Sequence, residues 1–355
     1  MVSNLPRLLL FTAILLIIVF FIYIYPIAAL LHLLIASAIF QMASYGASIF
    51  LAGFIFYYLR THSTSPMLSA LTHYGMGIGF IGFGITNLGL IADGIVAGNS
   101  QFIGIICVLL TTALSAKAIM NGRHLHVKRL RFTSPKITDE FSFAFISDVH
   151  LGSNPKSHLD RICDELAKLE AEALLIGGDL FDSSAFQLTD LTSLKQLDTP
   201  IYYITGNHEY YVKHHETKIK ALTDYNLQIL DDEIAQMGEV TIIGIDDYHT
   251  PKEQALIAQK LVDKSRFNLV LVHQPAIWEQ LPDEADLMLS GHTHNGQIVP
   301  FNWLVRLQFK AVYGLYHYGN AQAYVSSGAG TWGPRMRLGT QNEILHITLA
   351  PSGDK

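Results

Sequence analysis

Across its first 120 residues the chain carries only four Lys, Arg, Asp or Glu side chains, namely Arg7, Arg60, Asp93 and Lys117, while the other 50 fall in the remaining 235 residues. A soluble domain is about 25% charged. The N-terminal third therefore cannot be an ordinary water-exposed fold, and the rest can. The composition excludes disorder, a collagen-like repeat and a disulfide scaffold. The sequence divides as a transmembrane helical domain over 1–120, a basic connector over 121–139 and a globular domain over 140–355.

A helix needs about 20 apolar residues to cross the hydrocarbon of a bilayer. Residues 8–59 are long enough for two passes, with Pro26 placed where a break is useful, and spans are expected near Leu8–Tyr25 and Ile35–Leu59. A third, Tyr74–Ile91, is dense in Gly, which lets helices approach closely in lipid; a re-entrant hairpin is the competing reading. A fourth is expected at Phe102–Ile119. Residues 1–25 read as an uncleaved anchor rather than a signal peptide, because the n-region holds only Arg7 and further apolar spans follow at once. Four spans put Arg7, Arg60 and the cluster Arg123, Lys128, Arg129 and Arg131 on one side. By the positive-inside rule this is the cytoplasmic side, and the globular domain lies with it. The expected location is the cell membrane, multi-pass.

The C-terminal portion holds 21 Lys and Arg against 29 Asp and Glu, which argues against nucleic acid as a partner. Cys107 and Cys163 are not expected to pair. Short apolar runs alternate with helical patterns, which reads as α/β. Strands are expected at Phe141–Ser147, Ala173–Gly177, Ile201–Thr205, Val240–Ile245, Asn268–Val272, Asp286–Ser290, Ala323–Ser326 and Ile344–Leu349. Helices are expected at Ser157–Leu169, Leu188–Leu197, Glu216–Asn226 and Glu253–Lys264.

Five of these strands run straight into Asp, Asn or His: Asp148-Val149-His150, Gly178-Asp179, Gly206-Asn207-His208-Glu209, His273 and Gly291-His292-Thr293-His294. In layered α/β folds, ligand sites collect at the carboxyl ends of strands. Imidazole, carboxylate and amide donors without thiolate suit divalent Mn, Fe or Zn. The donors exceed the needs of one ion, and a bridging carboxylate would let them hold two about 3.5–4 Å apart.

In order and spacing these five motifs resemble the full series of the calcineurin-like metallophosphoesterases, and the likeness runs from about Phe141 to Leu349. The resemblance implies a four-layer α-β-β-α sandwich with the site at its rim. It implies one metal on Asp148, His150, Asp179 and His294, and a second on Asp179, Asn207, His273 and His292, with Asp179 bridging. His208 matches the phosphate-contacting histidine, regarded as a general acid for the leaving oxygen or a transition-state stabiliser. The stretches "GNHEYY", "LSGHTH", "VSSGAGTWGP" and "RLGTQNEI" are similar to a branch of bacterial phosphodiesterases that act at membranes, some of them on nucleotide-linked lipids. Asn295 departs from that branch, which commonly has Gly there.

The expectation is a membrane-anchored two-metal phosphoesterase, with Mn ahead of Fe or Zn. Its substrate would be a phosphodiester or pyrophosphate, lipid-linked by preference, attacked by metal-bound hydroxide. Hydrolysis of soluble nucleotide diesters, and a non-catalytic membrane sensor binding a phosphorylated ligand, are the alternatives. Arg335 and Arg337, after a Gly-Thr-Trp-Gly-Pro turn, are candidates to hold substrate phosphate, against a structural ion pair. Asp182 reads either as a support for a ligand imidazole or as a solvent-facing cap. His214, His215, His124 and His126 read as surface, and Asp246 and Asp247 as rim residues. Phe301–Tyr318, aromatic and basic, reads either as facing the bilayer or as a hairpin packing its rings inward.

Overall fold

The computed structural model describes all residues except 1–4, 36–37, 62–64, 97, 320 and 353–355. Two units separate: Met1–Met120 with Gly333–Met336, and Asn121–Trp332 with Arg337–Lys355.

The first unit is helical. It runs through α1 (Leu5–Val19), a π-helical turn (Phe20–Ile24), α2 (Tyr25–Ile35), α3 (Ala38–Thr61), α4 (Pro66–Ile95) and α5 (Ser100–Arg123). Among the described residues three stretches are long and apolar enough to cross a membrane: Leu9–Ile35, Met67–Ile95 and Ser100–Arg123. The expected second span, Ile35–Leu59, lies partly outside the described residues. The third is one continuous helix, which excludes the re-entrant hairpin.

The expected break at Pro26 does not occur, because the helix absorbs the proline. Pro26 has no N–H to give to the Ile22 carbonyl and its ring crowds that oxygen. The turn before it widens into a π-helix, in which the Tyr25 N–H donates to the Phe20 carbonyl. The released Ile22 carbonyl faces α4 at Gly79, where a Cβ would lie 2.8 Å from the carbonyl carbon and closer still to its oxygen. Only glycine fits that approach. Gly79→Leu is expected to destabilise the helical unit by about 1–3 kcal/mol through overpacking, read as a lowered thermal midpoint of the detergent-solubilised chain; an unchanged midpoint would show that the approach is dispensable.

The second unit carries two mixed six-stranded sheets. The first is ordered β1 (Leu125–Ser134), β12 (Asn342–Pro351), β2 (Phe141–Ile146), β3 (Leu174–Gly177), β4 (Ile201–Ile204), β5 (Leu227–Ile229). The second is ordered β10 (Gly314–Tyr318), β11 (Ala321–Val325), β9 (Leu287–Ser290), β8 (Phe267–Val272), β7 (Val240–Ile245), β6 (Glu233–Met237). Strands buried on both faces distribute their side chains with period two. Phe143 and Phe145 of β2 meet Leu269 and Leu271 of β8 in the core between the sheets. Ala144 and Ile146 turn outward under Leu159, Ile162 and Leu166 of α6 (Lys156–Leu166). Val270 and Val272 turn to the other side, under Ala258 of α8 (Pro251–Leu261). Three apolar cores between four layers make the α-β-β-α sandwich.

The stretch expected as a basic connector is largely strand. β1 pairs in parallel with β12 from Leu125↔Asn342 to Ser134↔Pro351. Leu125 and Val127 pack on one core, and Phe132 with Leu130 on the other. His126, Lys128, Arg129 and Arg131 interleave with these apolar residues and hide the alternation. The helical pattern over Leu188–Leu197 resolves into two 3₁₀ turns, Leu188–Leu191 and Leu194–Gln196. The pattern over Glu216–Asn226 becomes α7 (His215–Lys220) with a 3₁₀ turn after it. Phe301–Tyr318 is a helix, α9 (Phe301–Gln308), followed by β10.

Candidate active site

β2, β3, β4, β8 and β9 end side by side, and each delivers its polar motif to one rim. The loops are zipped together by backbone bonds. Asp148 N–H donates to Gly178 O and His150 N–H to Asp179 O, both at 3.0 Å, and Gly291 N–H donates to His273 O at 2.9 Å. The backbone is strained where it presents these side chains. Asp148, His150, Asp179, His292 and His294 all have left-handed φ, between 49° and 72°. Non-glycine residues rarely adopt this region, and a cluster of them marks a functional constraint. Asn295 is left-handed as well, at φ 51°. Glycine adopts that conformation freely and asparagine tolerates it, so Asn is a natural occupant of this position.

Asp148, His150 and His294 make one donor group and Asp179, His273 and His292 another, and His150 also stands in a third with Asp182 and His208. In the first, His150 Nε2 lies 3.1 Å from His294 Nε2, and His294 Nε2 lies 3.5 Å from Asp148 Oδ1. In the second, His273 Nε2 lies 3.3 Å from His292 Nδ1 and 3.1 Å from Asp179 Oδ2. Asp179 Oδ2 is also 3.7 Å from His150 Nε2, so a single carboxylate oxygen stands between the groups. Gly206 makes room for that carboxylate, since a Cβ there would collide with Asp179.

The arrangement fits a pair of cations. His273 Nδ1–H donates to the Gly177 carbonyl at 2.8 Å, and Asp182 Oδ2 lies 3.3 Å from His150 Nδ1. Both rings thus aim Nε2 lone pairs into the cluster. Asp148 and Asp179 are fully buried, and among the described residues neither has a Lys or Arg at ion-pair distance. Asn207 Oδ1 is buried without a hydrogen-bond partner. Buried charges of this kind need a compensating partner.

The electrostatics follow the geometry. Burial works against ionisation of Asp179, but His273, His150 and His208 hold it well below the usual carboxylate range. Burial, with Asp179 adding to it, raises Asp148. Burial pushes His292 down to about 3 and His294 well below its usual value. His273 and His150 are raised despite burial, by Asp179 and Asp182 respectively. Burial lowers His208 to about 4, against the pull of Asp179 and with the repulsion of His150.

His208 is half-buried beside the cluster. Its backbone N–H donates to Asp179 Oδ1 at 2.9 Å. Its ring stands edge-on to His150 at 4.8 Å and is flanked by Tyr211 at 5.4 Å and Trp332 at 5.5 Å. Asp182 supports the His150 imidazole and also accepts from the Ser153 N–H at 2.9 Å, so of its two readings the structure takes the supporting one. Asp246 accepts from Thr205 Oγ1 and Tyr210 OH at the rim. Asp247 accepts from Gln274 Nε2 at 2.9 Å, and burial pushes it up to about 6. His124, His126, His214 and His215 lie outside both donor groups.

Arg337 is not a substrate ligand. It is fully buried, and all five N–H donors are used internally. They go to Asn342 Oδ1, His294 O at 3.0 Å, Thr340 Oγ1 at 3.5 Å, Ser327 O and Gly330 O at 2.8 Å. Burial lowers it to about 10, which leaves it a cation. It clamps the loop after β11 to His294. Arg335 donates to Ser69 Oγ at 3.2 Å within the helical unit.

Glu209 has a role that the sequence did not disclose. Fully buried, its carboxylate accepts from the backbone N–H groups of Asp179, Phe181 and Gly206 at 3.1, 3.1 and 2.7 Å. It ties the β4 loop to the β3 loop and so fixes Asp179. Burial and the Asp179 charge push it up to about 8, against the Phe181 and Gly206 N–H donors.

A family description, calcineurin-like phosphoesterase, matches residues 141–296. An uncharacterized metallophosphoesterase of Helicobacter pylori is 38% identical over 231 residues, which is 61% of this chain and 61% of that protein, so the match spans less than two thirds of either. The YpbG protein of Bacillus subtilis is 30% identical over 69% of this chain and 95% of its own length. A Bos taurus protein described as a transmembrane protein with metallophosphoesterase domain is 29% identical over 69% of this chain and 62% of its own. The chain belongs to the calcineurin-like phosphoesterase family.

Proposed function

We propose that the protein is a membrane-anchored phosphoesterase that hydrolyses a phosphodiester or pyrophosphate, with a lipid-linked substrate preferred. The observation that carries this reading is the pair of donor groups with Asp179 Oδ2 standing between them, and the half-buried His208 beside them. Asp148, His150, Asp179 and His294 would hold one divalent ion, and Asp179, Asn207, His273 and His292 the other, with Mn the first choice. When bound, such a pair supplies Lewis acidity toward phosphoryl oxygen and lowers the pKa of water. Glu209 fixes Asp179, Asp182 orients His150, and Arg337 holds His294 in register, so the donors are set before substrate arrives. His208 is placed to give the substrate's leaving oxygen a hydrogen bond.

The reading further places α3 as a fourth pass and the catalytic domain on the cytoplasmic face, on the side of Arg7 and Arg60. A tether confines the enzyme to a surface and raises the effective concentration of substrates held there, which favours a lipid-linked phosphoester. His208→Ala is expected to cut turnover by about 10²–10⁴-fold while the chain keeps its metal, measured by elemental analysis beside the rate. Unchanged turnover at full metal content would remove His208 from catalysis, whereas cellular function that survives a loss of turnover would favour a binding module.

A further inference from the structure

An amphipathic helix on a globular domain ordinarily turns its apolar side toward the core. α9 does the opposite, since none of its residues is buried. At about 100° per residue, Trp303, Leu307, Leu304 and Phe301 follow one another around one side of the helix. Their fractional exposures are 64, 84, 57 and 47%. The other side is held to the domain through Asn302, whose backbone lies so close to Gly296 that a Cβ there would collide with it. Arg306 flanks the apolar side, and Lys310 follows it. Apolar exposure of this kind marks an interaction surface.

We infer that this side of α9 docks in the interfacial layer of a lipid bilayer. This rests on the membrane anchoring proposed above and is independent of hydrolysis. α5, an apolar stretch long enough to cross a membrane, ends at Arg123, and β1 begins at Leu125. Three residues further, Lys128 Nζ sits 5.0 Å over the ring of Tyr313, five residues beyond the end of α9. The exposed aromatic segment is thus tied to the strand by which the chain enters the domain. Trp on the apolar side with Arg and Lys at its margin is the composition of a shallow lipid contact, with the rings at headgroup level and the basic groups reaching outward. The helix also borders the metal cluster, because Phe309, which follows it, stands edge-on to the His292 ring at 5.3 Å. Docking of α9 would bring the mouth of the site to the depth of a lipid headgroup.

The chain has three tryptophans, and Trp278→Phe with Trp332→Phe leaves Trp303 alone. The full chain carrying both substitutions is placed in nanodiscs of ordinary phospholipid and in nanodiscs whose acyl chains are brominated near the headgroup. Trp303 emission is expected to be blue-shifted and to fall several-fold on the brominated lipid, and Leu304→Asp with Leu307→Asp to restore it. The difference between the wild-type chain and Trp303→Phe reads the same signal with the other two tryptophans in place. Emission that is red-shifted and unquenched would put α9 in water, and blue-shifted but unquenched emission would assign its cover to a second copy or another protein; either overturns the inference. Failure of the chain to co-purify with nanodiscs would instead overturn the anchoring, and turnover enters neither readout.

Discussion

Asp179→Ala is expected to lower diester hydrolysis by at least about 10³-fold, which is about 4 kcal/mol of barrier. It is also expected to take the metal content below two per chain. Asp179 stands between the two donor groups. Asp179 Oδ2 stands 3.1 Å from His273 Nε2 and 3.7 Å from His150 Nε2. Its Oδ1 also receives the His208 backbone N–H, so the variant also releases the backbone of His208. Asp182→Asn makes the useful contrast. It leaves every donor in place and only loosens the His150 ring, so a fall of about 10–100-fold is expected. If the two variants lost activity equally, Asp179 would not be the shared residue.

Arg337→Met is expected to cost most of the stability of the catalytic domain. The substitution keeps much of the length and apolar volume of the side chain and removes five donors. It strands the carbonyls of His294, Ser327 and Gly330 in a dry interior, at about 1–3 kcal/mol for each buried acceptor left unsatisfied. A domain's whole stability is about 5–15 kcal/mol. Chemical denaturation of the full chain, followed by a signal from the catalytic domain, would read the loss. Arg337→Lys keeps the charge but offers three donors in place of five, and an intermediate loss is expected. If Arg337→Met left the domain as stable as wild type, the clamp would contribute little.

The five site motifs were legible because each stands at the end of a short apolar strand, and period-two burial on both faces leaves such runs unmistakable. β1 was not, because Lys128, Arg129 and Arg131 are interleaved with the residues that pack. Its membership of the sheet depends on β12, more than 200 residues away in the chain. The continuity of the first helix past Pro26 was equally hidden. It requires a π-helical turn and a glycine on another helix, neither of which a proline signals. At the site, the donor residues could be named from their chemistry, but their supports could not. Glu209 looks like part of a Gly-Asn-His-Glu turn, and three backbone N–H groups converging on its carboxylate are visible only in space. Arg337 follows a glycine-rich turn, as a phosphate-binding arginine would, and full burial with every donor engaged decides against that role. Asp182 was open between two readings, and its distance to His150 Nδ1 separated them.

The central claim is a phosphoesterase built on two metals, and the most direct measurement is hydrolysis by the full chain in nanodiscs, stripped of metal and reloaded with Mn. Bis(p-nitrophenyl) phosphate and p-nitrophenyl phosphate are compared, with the metal content read in parallel. The expected result is diester cleavage that is absent after stripping and returns as the second metal per chain is taken up. A chain that regains its metals and cleaves neither compound would contradict the account.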